Sequence, residues 1–331
     1  MPRTRKTVLV VRHNALGDLI VARPALLGLR RHYPDHRLVI TCPSSLLPLA
    51  DHLGLADDYL TETADTEYDP REHETLDGPI LSRLAGDLSA ADVVVALRVP
   101  QRPFWDVLTE YAPRRLVAYR HSGVRRTDGF PEFTFEDHIL LRWRRMLAAF
   151  GIVADDQDLH FDPPVGRRTG SGHTLVHIGA GSPARRWPLE RWAVVIRHLH
   201  SRGHHVLLTG SRAESADIAA LRTLADLPPE RDLAGTTDAL ELAALVGTAR
   251  LLVCTDTGIS QIATALRRPS VTLFGPTPPQ WWGPATPSPL HVTLWKGRTG
   301  DAYADHVDPG LLDIGAQDVI SVLDLLPGER A

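Results

Sequence analysis

The stretch from Leu251 to Pro276 constrains the fold of this 331-residue chain more than any other. It begins with an apolar run of strand length, Leu251 to Cys254, continues through a turn and a helical segment, and ends in a second strand, Ser270 to Phe274. This order is that of a βαβ unit, whose two strands belong to one parallel sheet. Thr257 and Gly258 lie where the helix begins, and the free backbone N–H groups of a helix start bind anions such as phosphate.

Two series of alternating strands and helices run along the chain. The first starts with the buried strand Val8 to Val11 and the second with the strand Thr174 to Ile178. Between them, residues 151–172 are rich in Asp, Gly and Pro and lack helical periodicity, which is typical of a linker. We therefore predict an α/β protein with two doubly wound, Rossmann-like domains that face a central cleft.

The predicted boundaries follow from the same pattern. The first domain spans residues 1–155, and the linker spans 156–172. The second domain spans 173–312, and residues 313–331 form a final helix that can return to the first domain.

Composition excludes several classes of function. The formal net charge of −4 gives no basic field for nucleic acid. No apolar run approaches the ~20 residues of a membrane span, and the N-terminus does not resemble a signal peptide. Cys42 and Cys254 both end apolar runs and are expected to be buried free thiols. We expect a soluble, cytoplasmic protein, and peripheral membrane contact remains open.

The common nucleotide and metal motifs do not occur. The sequence contains no GxxxxGK[ST], GxGxxG, HExxH or CxxC pattern, so we expect no metal site and no bound cofactor. Polar residues do follow several predicted strands. In open α/β sheets, ligands bind at these carboxyl ends.

Asp18 and a pair of arginines are the first candidates at these positions. Asp18 follows the first strand and is either a catalytic carboxylate or an ordinary acid of a helix start. Arg185 and Arg186, with Ser182, follow the first strand of the second domain. Two guanidinium groups beside a helix start suit a diphosphate, although they can equally be solvated side chains next to a packed Trp187.

A further candidate group follows the strand that ends at Thr209. It consists of Gly210, Ser211 and Glu214. A glutamate in this place can bind the hydroxyl groups of a nucleotide ribose. It can also be a first-turn acid of the next helix, and without other information that interpretation is the stronger one.

Together these motifs resemble glycosyltransferase family 9, the heptosyltransferase-like enzymes with the GT-B fold, along nearly the whole chain. The residues that carry the resemblance are Leu16-Gly17-Asp18 with Arg23 to Leu26, Gly179 to Pro188, Gly210-Ser211 with Glu214, Asp256 to Gly258 with Ser260, and Phe274 to Thr277. Each motif alone is weak, but their order and spacing are specific.

The resemblance implies an inverting, metal-independent transfer of a heptose or related sugar. The donor would be a nucleotide-diphosphate sugar, with ADP as the expected nucleotide, and the acceptor a hydroxyl of a glycan or small molecule. Asp18 would act as the general base. The residues implied to bind the donor diphosphate are Ser182, Arg185, Arg186, Thr257 and Gly258, and those implied at the ribose or base are Gly210, Ser211 and Glu214.

Two positions depart from the family pattern. Arg185 stands where the family usually has lysine, so a planar fork replaces a point charge. Gln261 stands where the family usually has histidine and cannot carry a positive charge. The resemblance implies that Asp256 and Gln261 lie at the donor sugar. The nearby Trp281 and Trp282 either form a wall for the base or sugar, or pack the loop on the sheet.

The acceptor side is less clear from the sequence. Candidates in loops of the first domain are His13, Arg98 and Arg120, since arginines suit an anionic acceptor. Two other functions stay open: a sugar-nucleotide epimerase or hydrolase of the same fold, and a degenerate protein that binds a sugar nucleotide without turning it over. The presence of Asp18 argues against the second, and Gln261 argues for it.

Overall fold

The computed structural model describes residues 6–12, 15–61, 90–97, 113–122, 124–165 and 172–326. The chain forms two compact units, Met1–Leu159 and His160–Ala331. The sequence also predicts helices at 80–87 and 104–111, and both ranges lie outside the described residues.

The described part of unit 1 is built on a parallel sheet with the strand order β3-β2-β1-β4-β5. Its strands are β1 Thr7–Val11, β2 Arg37–Thr41, β3 Asp58–Leu60, β4 Val93–Ala96 and β5 Arg115–Val117. Its helices are α1 Leu16–His32, α2 Leu47–His52 and α3 Ile139–Ala148. The central strands are almost wholly apolar because both faces of such a sheet are covered.

The described part of unit 2 has a second parallel sheet, with the order β10-β9-β8-β6-β7. Its strands are β6 Thr174–His177, β7 Val206–Thr209, β8 Leu251–Thr255, β9 Ser270–Leu273 and β10 His291–Leu294. Its helices are α4 Leu189–Ser201, α5 Ser215–Leu224, α6 Ala239–Thr248, α7 Gly258–Ala265, α8 Pro279–Trp282, α9 Pro309–Leu312 and α10 Ala316–Leu323.

The core of unit 2 forms where α4 and α10 cover one face of this sheet. Trp192 is fully buried there, and its ring meets that of Trp187 edge to face at 4.9 Å. Val319 and Leu323 of α10 belong to the same apolar cluster. The final helix therefore packs within unit 2.

The two parallel sheets confirm the prediction of two doubly wound α/β units. The stretch from Leu251 to Pro276 contains the predicted βαβ unit, which is β8-α7-β9, and Leu252 pairs with Ser270 in the register of β8 and β9. The sequence also predicts a short strand near Asp232, and this prediction is wrong, because the structure has only an isolated bridge there, between Asp232 and Leu208. The edge strands β3 and β10 have no long apolar run, and sequence periodicity missed them.

The predicted linker, residues 156–172, begins inside unit 1. Asp156–Leu159 form a 3-10 turn, and Asp158 Oδ2 lies 2.6 Å from Arg31 Nη2 of α1. Residues 166–171 lie outside the described ranges. The assignment of 156–172 as a linker stays a prediction. No helix in the described ranges is long and apolar enough to cross a bilayer.

Candidate functional site

The first polar cluster lies at the carboxyl end of β1 in unit 1. Arg12 comes directly after β1, and Asp18 lies in the first turn of α1. Arg12 Nη2 and Asp18 Oδ1 are 2.6 Å apart, and Arg12 Nε donates to the backbone oxygen of Asp18 at 3.0 Å. Arg12 is buried, whereas the side chain of Asp18 is 19% exposed. A buried guanidinium therefore holds a carboxylate that solvent still reaches.

Arg12 also spans the switch point of this sheet, where strand order turns from β1 towards β2 on one side and β4 on the other. Its Nη1 donates to the carbonyl of Leu97, just after β4, and its backbone N–H donates to Thr41 Oγ1 at 2.8 Å, at the end of β2. Its guanidinium carbon lies 4.8 Å from the ring centroid of Trp143. Ligands of open α/β sheets bind at such a switch point, so Asp18 lies where a substrate is expected.

The electrostatics of this pair are asymmetric. Burial lowers the pKa of the Arg12 guanidinium, and the negative charge of Asp18 opposes that shift. An arginine side chain is so strongly basic that it stays protonated in proteins. The contact between Arg12 and Asp18 is therefore a true ion pair.

A second cluster lies at the switch point of unit 2, between β6 and β8. Arg185 ends the 3-10 turn Pro183–Arg185 after β6, and Asp256 comes directly after β8. Arg185 Nη1 donates to the backbone oxygen of Asp256 at 3.1 Å. The structure therefore brings together two residues that the sequence predicted at the donor.

The Asp256 carboxyl group is buried, with 6% of the residue exposed. Burial raises its pKa to about 6, while the charge of Arg185 and a hydrogen bond from Thr277 oppose the rise. Desolvation is the largest of these effects because it disfavours the charged form. Near neutral pH this carboxyl group thus sits close to its own titration range.

Helix α7 starts immediately after this carboxyl group. Thr257 is the N-cap residue, and its side chain makes no capping hydrogen bond. Gly258 is the first helical residue. The first N–H groups of a helix lack intrahelical partners, so this end offers donors and a partial positive charge to an anion. The roles of Thr257 and Gly258 in binding a diphosphate stay predictions.

Backbone groups in the loop after β6 form hydrogen bonds with side chains of the same loop. Ser182 is buried, where its Oγ accepts from Ala184 N at 3.3 Å and donates to the carbonyl of Ala304 at 3.3 Å. Arg186 Nε donates to the carbonyl of Ala180 at 3.3 Å. Ser182 and Arg186 therefore shape the loop, and their contacts with a diphosphate stay predictions.

Glu214 joins the loops after β6 and β7. Its Oε1 accepts from Ala180 N at 3.0 Å, and its Oε2 accepts from Ser211 N at 2.8 Å and from Ser211 Oγ at 2.9 Å. The first-turn role considered for this residue is present, as the acid of a capping box. A Cβ on Gly179 would lie 2.3 Å from Glu214 Oε2, and one on Gly210 would lie 3.1 Å from it. Ribose binding by Gly210, Ser211 and Glu214 stays a prediction.

Gln261 is hydrogen-bonded to the segment that contains Trp281 and Trp282. Its Nε2 donates to the carbonyl of Trp282 at 2.6 Å, and the residue is buried. It thereby ties α7 to the end of α8. Trp281 and Trp282 are half-buried, and the role of Gln261 at a donor sugar stays a prediction.

The acceptor candidates are described only in part. His13 and Arg98 lie outside the described residues. Arg120 Nη1 lies 2.5 Å from Glu132 Oε1 in an exposed ion pair. Its guanidinium is thus engaged on the surface, and its role at an acceptor stays a prediction. In the described ranges no group of three or more His, Cys, Asp or Glu side chains is arranged to hold a metal ion.

Two residues of these clusters escaped the sequence analysis. Arg12 directly follows the predicted strand Val8 to Val11, and a charged residue directly after a buried strand is itself a signal. His177 ends β6, and its Nδ1 lies 3.0 Å from Thr209 Oγ1. Burial lowers the pKa of His177 to about 4, against the charge of Glu214. His177 is therefore a neutral link between the ends of β6 and β7.

Comparison with known proteins gives both sequence and structural relatives. Lipopolysaccharide heptosyltransferase 2 of Escherichia coli (strain K12) is 33% identical over 153 residues, 44% of this chain and 43% of the relative. The chain thus matches less than half the length of this curated relative. The structure of E. coli ADP-heptose lps heptosyltransferase II has a TM-score of 0.72 at 19% identity, covering 97% of this chain and 98% of the other.

The heptosyltransferase WaaC of E. coli, solved with ADP-2-deoxy-2-fluoro heptose, has a TM-score of 0.66 at 18% identity, covering 96% of this chain and 99% of the other. At these identities the two solved structures show the fold, and they confirm the predicted GT-B assignment. The model of the family described as Glycosyltransferase family 9 (heptosyltransferase) matches residues 134–301, just over half of the chain. This range holds the second cluster, and Asp18 precedes it. The family predicted from the motifs is confirmed, and the chain belongs to glycosyltransferase family 9.

Proposed function

We propose that this protein is an inverting, metal-independent glycosyltransferase. It would transfer a heptose or related sugar from a nucleotide-diphosphate donor, with ADP as the nucleotide, to a hydroxyl of a glycan or small molecule. The observation that carries the proposal is the Asp18 carboxylate, which is accessible and ion-paired at a sheet switch point in a member of this family. A relative solved with an ADP-heptose analogue supports the choice of donor.

The chemistry assigned to Asp18 is general-base catalysis. The acceptor oxygen attacks the anomeric carbon of the donor, and the bond from that carbon to the diphosphate breaks. The acceptor hydroxyl gives its proton to the Asp18 carboxylate, and the nucleotide diphosphate leaves with the electron pair. Attack from the opposite face inverts the anomeric centre. General-base catalysis of this kind contributes roughly 10²–10⁴ in rate.

The leaving group needs positive charge when no metal supplies it. Arg185 and the uncapped start of α7 lie together in unit 2, where Arg185 Nη1 is bonded to the backbone of Asp256. A guanidinium and free backbone N–H groups are the donors that suit a diphosphate. We assign these groups to the diphosphate, and the fully paired Glu214 to shaping the ribose end.

A two-stage experiment tests this function. Thermal shift with ADP, GDP and UDP compared first should show stabilisation by ADP above the other two, since a ligand that binds only the folded state raises its stability. ADP-heptose is then incubated with lipopolysaccharide that lacks heptose, with and without EDTA, and both ADP and the glycosylated product are measured. Product formation that survives EDTA supports the proposal. ADP release without product would indicate a hydrolase, and binding without release a degenerate binding protein.

A further inference from the structure

Arg12 grips Asp18 at two points. Its Nε bonds the backbone oxygen and its Nη2 bonds Oδ1 of the carboxylate. A planar guanidinium presents its donors in a fixed fork, so two simultaneous bonds fix both the position and the rotamer of the acid. The fork occupies Oδ1 and leaves Oδ2 to accept a proton.

The arginine is itself held from several elements. Its backbone N–H bonds Thr41 Oγ1 at the end of β2, its Nη1 bonds the carbonyl of Leu97 after β4, and its guanidinium stacks on Trp143 of α3. With 7% of the residue exposed, it has little room to move. The position of the Asp18 carboxylate is therefore set by the ends of three neighbouring strands and by α3.

Stability alone is a weak reason for such an arrangement. Taking a charge out of water costs several kcal/mol, and apolar replacements of buried ion pairs are often neutral or stabilising. What a buried pair does supply is a single geometry. Because misplacing a reacting group by about 1 Å can cost ~10²-fold in rate, a fixed carboxylate matters most where it has to meet a substrate proton.

We infer that Arg12 is the positioning residue of the general base, holding Asp18 by Oδ1 and its backbone oxygen so that Oδ2 meets the acceptor hydroxyl. This inference rests on the proposed function. It assigns to Arg12 an effect on turnover that passes through Asp18, with donor binding unchanged because the groups assigned to the donor lie in unit 2.

The test measures kcat, the KM for ADP-heptose and the Kd for ADP in Arg12→Met, with heptose-free lipopolysaccharide as acceptor. Methionine keeps much of the stem and removes the fork. We expect kcat to fall about 10²-fold, with KM and Kd within about threefold. Arg12→Lys keeps one charge and one point of contact, so its kcat should lie between those of Arg12→Met and the wild type.

Arg142→Met is the matched control. Arg142 is also buried in unit 1, but its Nε donates to the carbonyl of Asp137, and its guanidinium lies near the rings of Phe133 and Phe135. Losing this second buried arginine should lower the melting temperature and leave the kcat of the folded protein within about threefold. A loss of kcat equal to that of Arg12→Met would mean that Arg12 acts only through the stability of the unit, and would overturn the inference.

A double-mutant cycle with Asp18→Asn tests whether Arg12 acts through Asp18 or independently of it. If Arg12 acts through Asp18, then Arg12→Met added to Asp18→Asn should lower kcat by less than about threefold further, because residues that act as a unit are strongly non-additive. An additive loss would overturn the positioning role alone. Full activity of Asp18→Asn would overturn the proposed mechanism, and the inference with it.

Misfolding of Arg12→Met would not remove the test. A pocket beside the side chain of Arg12 is lined by Leu19, Thr41, Cys42 and Pro43. Arg12→Ala would enlarge this pocket, so guanidinium added at a sub-denaturing concentration should raise the kcat of Arg12→Ala at least tenfold. The double variant Arg12→Ala/Asp18→Asn should show no such rescue. Rescue that is equal in both backgrounds, or rescue by sodium chloride at the same concentration, would overturn the inference.

Discussion

The switch points of the two units carry the same pair of residue types in different arrangements. In unit 1, Arg12 bonds the carboxylate of Asp18 directly, at 2.6 Å. In unit 2, Arg185 bonds the backbone oxygen of Asp256, at 3.1 Å. Each arginine reaches across the reversal of strand order, from β1 to the end of β4 and from β6 to the end of β8. The shared topology therefore places a guanidinium at each site but does not determine what it binds.

The difference in burial gives the two acids different chemistry. The Asp18 side chain is 19% exposed and is ion-paired to Arg12, so the carboxylate is charged and a ligand can reach it. Asp256 is buried, and burial raises its pKa to about 6. A base that meets an acceptor must be reachable, and of the two acids Asp18 is the more exposed. The comparison is consistent with the proposal that proton transfer takes place in unit 1 and donor binding in unit 2.

Asp18→Asn should have the largest effect and tests this division most directly. The amide keeps the shape and cannot take a proton, so kcat should fall by about 10²–10⁴ while the Kd for ADP stays within about tenfold. Turnover of ADP-heptose and calorimetric titration of ADP measure the two quantities. Asp158→Asn is the control, since Asp158 is ion-paired to Arg31 in the same unit. Wild-type turnover in Asp18→Asn would contradict the assignment.

The sequence analysis located both polar clusters but did not predict all of the hydrogen bonds within them. The βαβ pattern placed Asp18, Arg185 and Asp256 at strand ends, because strand and helix periodicity are local properties of the chain. The contact from Arg12 to Leu97 joins residues 85 positions apart, and no local pattern encodes it. Similarly, Glu214 is bonded to Ala180 across 34 positions, so its paired state could be seen only in the folded chain.

Two of the edge strands, β3 and β10, show the same limit. β10, His291–Leu294, is half-buried throughout and follows a Pro-rich segment; its polar–apolar alternation is short, and it has no long apolar run. The central strands β1 and β8 were predicted because full burial selects continuous apolar residues. The sequence therefore predicts strands in proportion to how deeply they are buried.

A second prediction concerns the pH dependence of stability in unit 2. The pKa of Asp256 is raised to about 6 in the folded state, so the protonated acid stabilises the fold. That contribution is fully present below the unfolded value, about pH 4, and is lost as pH rises through 6. His177 acts in the opposite direction, because its folded pKa is lowered to about 4, so its contribution is present above pH 6.5 and lost on acidification.

Asp256→Asn removes the contribution of Asp256, so the variant should keep only the opposite pH dependence of stability that comes from His177. The stability of the wild type relative to this variant should be greatest near pH 4 and should shrink by up to about 3 kcal/mol at pH 7, or roughly 5–10 °C in melting temperature. Thermal denaturation of both proteins between pH 4.5 and 7.5 measures the difference. Asp217→Asn, on an exposed position of α5, is the control. A constant difference across this range would show that Asp256 is ionised throughout.

The smallest effect should be that of Arg185→Met on the affinity for ADP. Removing one charge-assisted hydrogen bond to a diphosphate costs about 1.5–3 kcal/mol, so the Kd for ADP should rise at least tenfold. Arg191→Met is the matched control, because Arg191 Nη1 also donates to a backbone carbonyl of unit 2, that of Ile314 at 2.8 Å. Titration of ADP at two salt concentrations measures both variants.

The salt dependence makes this prediction sharper than a single affinity. A charge partner lost from the site should weaken the dependence of the Kd on ionic strength, whereas a general loosening of the loop should leave that dependence unchanged. Arg12→Met belongs in the same titration, since Arg12 bonds the carboxylate of Asp18 and the proposed function places Arg185 at the donor. If Arg12→Met weakened ADP binding as much as Arg185→Met did, the division of roles between the units would be wrong.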